Sequence, residues 1–135
     1  MGLTLCLLGM AAPLRAAPNR DEVLRITKAV LCRRYDAKAR TAQEITTVFK
    51  PSDRTLRAVV ELNRVTTGDQ VKCVWIVVDA GGLKNYRVVE TTLRTAQMNV
   101  LHFSTRLPRD WPRGKYRADI YFNERRTHQL PFIVR

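Results

Sequence analysis

Eight consecutive residues, Val71-Lys72-Cys73-Val74-Trp75-Ile76-Val77-Val78, restrict the fold of this chain more than any other stretch. Val71, Cys73, Trp75 and Val77 share one parity, and Val74, Ile76 and Val78 share the other. A strand alternates its side chains between two faces, so a run apolar on both parities is at least partly covered on both faces. Such a strand belongs in the middle of a sheet. Asp79-Ala80-Gly81-Gly82 then supplies turn residues that end it.

The remaining sequence supplies partners for that strand. Leu56, Ala58, Val60 and Leu62 alternate with Arg57, Val59, Glu61 and Asn63, the pattern of a half-buried strand, and Thr66-Thr67-Gly68-Asp69 reads as the turn after it. Upstream, Leu24, Ile26, Val30 and Cys32 share a parity that Lys28 interrupts, which predicts a first strand with a bulge or edge switch near Lys28. Arg33 to Thr41 is polar and aperiodic and reads as a loop. Thr46-Thr47-Val48-Phe49 is a short β-prone piece closed by Lys50-Pro51-Ser52-Asp53. Downstream, Tyr86–Leu93, Asn99–Leu107, Tyr116–Phe122 and Leu130–Val134 are further strands, with a Pro/Gly-rich corner at Pro108–Gly114. Pro131 brings no amide donor, so the last strand is expected at an edge or locally unpaired.

Strands separated by turn signals, without a long helical pattern, indicate an all-β fold. Trp75 in a central strand, Phe49-Lys50-Pro51-Ser52-Asp53 before the alternating strand, and Trp111-Pro112-Arg113-Gly114-Lys115-Tyr116 together resemble the immunoglobulin-like and fibronectin-type-III-like domains of exported bacterial proteins. The resemblance covers about Val23 to Arg135. It implies an antiparallel two-sheet immunoglobulin-like sandwich of about seven strands, with the tryptophan packed between the sheets. Antibody-type domains carry an inter-sheet cystine that does not transfer, because Cys73 sits in the tryptophan strand and no cysteine lies near Tyr116.

Residues 1–17 have a separate character. Gly2 to Ala12 form an uncharged apolar run followed by Pro13-Leu14-Arg15-Ala16-Ala17, which matches the apolar region and small-residue cleavage zone of a secretory signal peptide. The run is shorter than the roughly 20 residues a membrane span needs. No basic residue precedes it, and no lipobox precedes Cys6. The expectation is therefore a leader at 1–17, one domain at 18–135, and a secreted or periplasmic location, the alternative being a buried N-terminal segment. The domain then retains only Cys32 and Cys73, which either form one disulfide or lie apart as buried thiols.

Catalytic and metal chemistry find little footing. The two serines, Ser52 and Ser104, lie outside any nucleophile motif, and Cys32, Cys73, His102 and His128 lack metal-ligand spacing. Gly81-Gly82 has no phosphate-loop lysine after it. No catalytic, metal or cofactor residue is assigned, and the expectation is a non-enzymatic binding or structural module at the cell envelope.

Charge is the remaining feature. Net charge is +12, from 24 Lys and Arg against 12 acids. That excess either serves solubility or draws an anionic partner. Arg106, Arg109, Arg113 and Lys115 crowd around Trp111, and Arg125-Arg126 form a hairpin connection. If Trp111 is displayed, these residues form a polyanion-binding corner; if it caps the open end of the sandwich, the arginines are only solvated around it. The partner expected is an envelope protein or anionic polymer rather than nucleic acid.

Overall fold

The computed structural model describes residues 23–135; the expected leader and the boundary at residue 18 lie outside them. Among the described residues seven β-strands account for all regular structure: β1 (Ile26–Asp36), β2 (Thr41–Ile45), β3 (Val48–Phe49), β4 (Thr55–Ala80), β5 (Leu83–Arg106), β6 (Gly114–Phe122) and β7 (Arg125–Val134). No helix among them is long and apolar enough to cross a membrane.

The fold is organised by β4 and β5, of 26 and 24 residues. They pair antiparallel along their lengths as one bent ribbon. The opposite edge of β4 takes β1 along its first half, with Ala29 opposite Val60, and β6 along its second half, with Ala118 opposite Trp75. β2 extends from β1, while β7 and then β3 extend from β6. The expected pair of separate sheets is therefore one continuous, curled seven-stranded sheet. Side chains from both halves of the ribbon nevertheless meet in a single core. Leu56, Ala58, Val60 and Leu62 from the first half join Val71, Cys73, Trp75 and Val77 from the second, on the parities expected.

The corner of the ribbon explains the difference. Thr66–Asp69, expected as a turn between strands, bends one strand without ending it. Pairing with β5 slips at three points between Glu61 and Gln70, and each slip adds a local kink while the ladder continues. Gly68, at φ +87°, takes a backbone conformation that costs glycine little and other residues more. Asp69 N–H donates to the Thr95 hydroxyl, the Thr66 hydroxyl donates to the Asp69 carboxylate, and the Asn123 side-chain amide donates to the same carboxylate. The Gln70 amide donates to Asn123 Oδ1 at 2.9 Å, which ties the β6–β7 turn to the corner.

Two smaller expectations also change or settle. The stretch from Arg33 is not a loop, because β1 continues to Asp36, whose carboxylate accepts the Lys38 and Ala39 amides and turns the chain into β2. The irregularity near Lys28 is present as a register slip between Ile26 and Lys28. Pro131 pairs with Arg117 in the β6–β7 ladder. Ile133 N–H, two residues on, points away from β6 and donates to Thr47 O. By strand alternation the nitrogen of Pro131 faces that same outer edge, so its missing donor leaves the β6 ladder intact.

Candidate functional site

The cationic residues singled out in the sequence fall at two ends of the molecule. β6 begins beside Arg113, where Gly114 pairs with Val134, and finishes at the turn where Phe122 pairs with Arg125. Its nine residues span about 30 Å at roughly 3.3 Å per residue. Arg106, Arg109, Arg113 and Lys115 thus lie at one end, and Arg125 and Arg126 at the other. Screening acts over about 8 Å at physiological ionic strength, so the two groups do not form one electrostatic site. Among the described residues, Arg109, Arg113, Arg125 and Arg126 have no side-chain partner. Arg106 Nη1 reaches the Thr55 hydroxyl at 3.3 Å.

Trp111 is not displayed. It is 3% exposed, its indole N–H donates to Arg54 O at 2.9 Å, and its ring meets Tyr116 edge-on at 5.7 Å. Tyr116 stacks on Phe132, which in turn meets the edges of Phe49 and Trp75. The Tyr116 hydroxyl donates to Pro112 O at 2.5 Å. Trp111 therefore caps the interior and offers no stacking face to a polymer. The cap fits because an indole buries a large apolar area while its single donor finds a carbonyl.

Two ion pairs brace the same end. Arg33 Nε meets Asp53 at 3.0 Å, and Arg54 Nε meets Asp110 at 3.2 Å. Burial raises the affinity of Asp53 for a proton, but the Lys50 amide and the Arg33 guanidinium outweigh it, and the carboxyl stays below its ordinary range.

Beside the cap lies a pocket of about 200 Å³ between the start of β5 and the 107–113 turn. Val77, Val88, Trp111 and Tyr116 form its floor, and Leu83, Tyr86 and Arg109 stand around its mouth. The Trp111 indole and Tyr116 phenol donors are already taken, and Arg109 is the charged group that the lining offers. Val88 reaches it through a bulge: Trp75 pairs with Val89 and Ile76 with Arg87, so Val88 is the extra residue and turns toward the core. Sequence reading missed this site. The signal for it is Val88-Val89, two apolar residues on consecutive parities within a polar strand.

A larger hollow of about 420 Å³ lies outside β6 and β7, walled by Val48, Val78, Pro131 and Ile133, with Lys115 and Arg117 at its side. Arg117 is committed to Asp119 at 3.1 Å, a carboxylate with 2% of its side chain exposed.

Cys32 and Cys73 are both buried free thiols. Cys32 pairs with Arg57 in the first half of the ribbon and Cys73 with Ile120 beyond the corner, so the disulfide considered from sequence is not formed. Burial pushes both thiols above their ordinary range, which disfavours the reactive thiolate. His102 is half-buried, stacked on Tyr35 with ring centroids 4.2 Å apart, and receives Arg57 Nη1 at 3.1 Å. Because a guanidinium can only donate, His102 Nε2 accepts and the ring is neutral. Burial and the neighbouring Arg57 both hold its pKa below the usual value. His128 Nδ1 contacts the Thr127 hydroxyl, and no group of three His, Cys, Asp or Glu among the described residues could hold a metal ion.

Neither a protein-family model nor a curated protein matches the chain. Among solved structures it is similar to an immunoglobulin-like protein of Pseudomonas aeruginosa, with a TM-score of 0.55 and 12% identity over 87% of this chain and 100% of that one. It is also similar to part of the alkylpurine DNA glycosylase AlkC of Pseudomonas fluorescens, solved bound to DNA containing an abasic-site analogue. There the TM-score is 0.50 and identity 11% over 83% of this chain, which spans only 30% of the glycosylase. These likenesses place the chain among immunoglobulin-like all-β folds.

Proposed function

We propose that the chain is an exported, non-enzymatic immunoglobulin-like module that binds an anionic partner at the cell envelope through its cationic ends. The observation that carries this reading is the set of guanidinium groups with no partner among the described residues, Arg109 and Arg113 at one end and Arg125 and Arg126 at the other. An arginine already paired with a carboxylate is partly neutralised, whereas an unpaired one retains its charge-assisted donors for a partner's carboxylate, sulfate or phosphate. The leader-like pattern of residues 1–17 supports export.

Retention on immobilised heparin at increasing salt tests the binding. Arg109→Ser with Arg113→Ser, and separately Arg125→Ser with Arg126→Ser, should each lower the eluting salt concentration, and their effects should add because the ends lie farther apart than the screening length. Elution of the unaltered chain with a neutral control protein would end the proposal. The glycosylase neighbour was solved on DNA, so duplex DNA belongs among the polyanions compared. Mass spectrometry of the chain recovered from a bacterial periplasm tests export, and a mature product starting near Pro18 is expected. Recovery of unprocessed cytoplasmic protein alone would remove the envelope assignment.

A further inference from the structure

We propose that the free edge of β5 between Leu83 and Leu93, with the pocket beside it, docks an extended acidic peptide segment. The segment adds to the sheet as a strand and places one apolar side chain in the pocket. β4 holds one edge of β5, and among the described residues no strand pairs with the other. An unpaired edge presents backbone donors and acceptors in the spacing of another strand. Three large apolar side chains are exposed on this short stretch: Leu83 at 44%, Tyr86 at 52% and Val89 at 36%. Apolar groups gathered along a free edge mark a surface that gains from being covered.

The pocket sets the anchor. A cavity of about 150 Å³ is enough to take a benzene ring, so one of about 200 Å³ accommodates a Phe or Leu side chain. The Val88 bulge sets that side chain in the pocket lining, next to the free edge and the exposed Leu83 and Tyr86 at the mouth.

Charge selects the occupant. Lys84, Arg87, Arg94 and Arg109 surround this edge, and the Glu90 carboxylate is already held by Arg87 at 2.6 Å. A second copy of the chain paired edge to edge would set these cations against one another, whereas an acidic segment would neutralise them. The acidic character rests on the cationic-surface reading above. The strand pairing and the anchor do not.

The test is fluorescence anisotropy of a fluorescein-labelled octapeptide of alternating Glu and Val with a central Phe, titrated with the chain. Dissociation constants in the micromolar range are expected. Methylating alternate backbone nitrogens of the peptide should weaken binding at least tenfold, since that modification removes strand pairing and leaves charge unchanged. Filling the pocket with Val88→Trp, confirmed folded by circular dichroism, should cost a similar factor, and Arg109→Gln about threefold to tenfold. Equal binding of the N-methylated and parent peptides would overturn strand addition while leaving the cationic reading intact. Failure of the parent peptide to bind, beside normal heparin retention, would overturn it as well. So would a concentration-dependent dimer that Lys84→Glu with Arg87→Glu abolishes without affecting peptide binding.

Discussion

The two ends of the molecule solve the same problem with opposite chemistry. At one end the chain is closed by the apolar cap of Trp111, packed on Tyr116 and continued through Phe132 into the core. At the other, Asp69, Thr66, Thr95 and Asn123 close the corner with hydrogen bonds and little apolar contact. An aromatic cap uses carbonyls as acceptors and leaves neighbouring cations unpaired around it, so a pocket with a charged rim can develop there. The hollow beside the polar latch, of about 290 Å³, is lined by Gln70, Lys72, Glu90, Thr92 and Glu124 and lacks the aromatic floor of the capped end. The difference places the apolar pocket at the aromatic end and conformational constraint at the polar one, while unpaired cations among the described residues flank both.

Removing the cap should have the largest effect. Trp111→Ala is expected to destabilise by about 3–5 kcal/mol in urea denaturation, the range for truncating a buried aromatic residue. A loss below 1 kcal/mol would show that the cap is peripheral. Gly114→Ala at the same end is expected to cost about 2–4 kcal/mol, the scale of severe steric strain. Gly114 has φ +149°, and a Cβ there would lie 2.3 Å from Asp79 O.

The latch should weigh less. Asn123→Ala is expected to cost about 1–3 kcal/mol because it removes the partner of the Gln70 amide and of the Asp69 carboxylate. Asn123 also occupies positive φ, so Asn123→Gly should lose less than Asn123→Ala, and the reverse order would show that backbone strain is not involved. Gly68→Ala should cost about 1 kcal/mol from φ alone, since a Cβ there meets nothing within 4 Å.

The smallest effect separates the ends by pH. The lowered pKa of Asp53 means that its stabilising contribution is fully present above the unfolded value of 3.8 and is lost as pH falls through the folded value. Denaturation below pH 4 should therefore weaken the capped end, and Asp53→Asn should flatten that part of the profile. His102 works at a higher pH. Its folded pKa lies below 6.5, so its contribution is present above pH 6.5 and is lost as pH falls, and His102→Gln should remove that slope. An unchanged slope would show that His102 protonates freely in the fold.

Much of the fold was legible because strand parity is local. The inward sets Leu56–Leu62 and Val71–Val77 and the locally unpaired outer side of β7 at Pro131 follow from alternation and from a missing amide. The continuity of β4 was not. Thr66-Thr67-Gly68-Asp69 has the composition of a reversal, and whether such a segment reverses the chain or only bends it depends on what its donors find. Here the Asp69 amide finds the Thr95 hydroxyl and the Asp69 carboxylate accepts from the Asn123 amide, both far away in sequence. The stretch after Arg33 was mistaken for the same kind of reason, since an arm paired only to its own hairpin needs no apolar periodicity.

The candidate site shows the same division. Counting arginines indicated a cationic surface, but residues near each other along the chain need not share a place. The nine-residue length of β6 carries Arg113 and Arg125 to opposite ends. The Trp111 cap, the bulge that turns Val88 inward and the free thiols of Cys32 and Cys73 depend on contacts between residues distant in sequence.

By itself, then, the sequence determined that this chain forms strands, which side of each faces the core, and that its surface is basic. Those properties belong to each segment through its alternation and its charge. Only the tertiary structure decided that Val71–Val78 continues the preceding strand around a corner, that the sheet is one curled piece, and that a pocket opens beside its tryptophan cap. Those outcomes rest on which distant donors and side chains meet, and no local pattern encodes that.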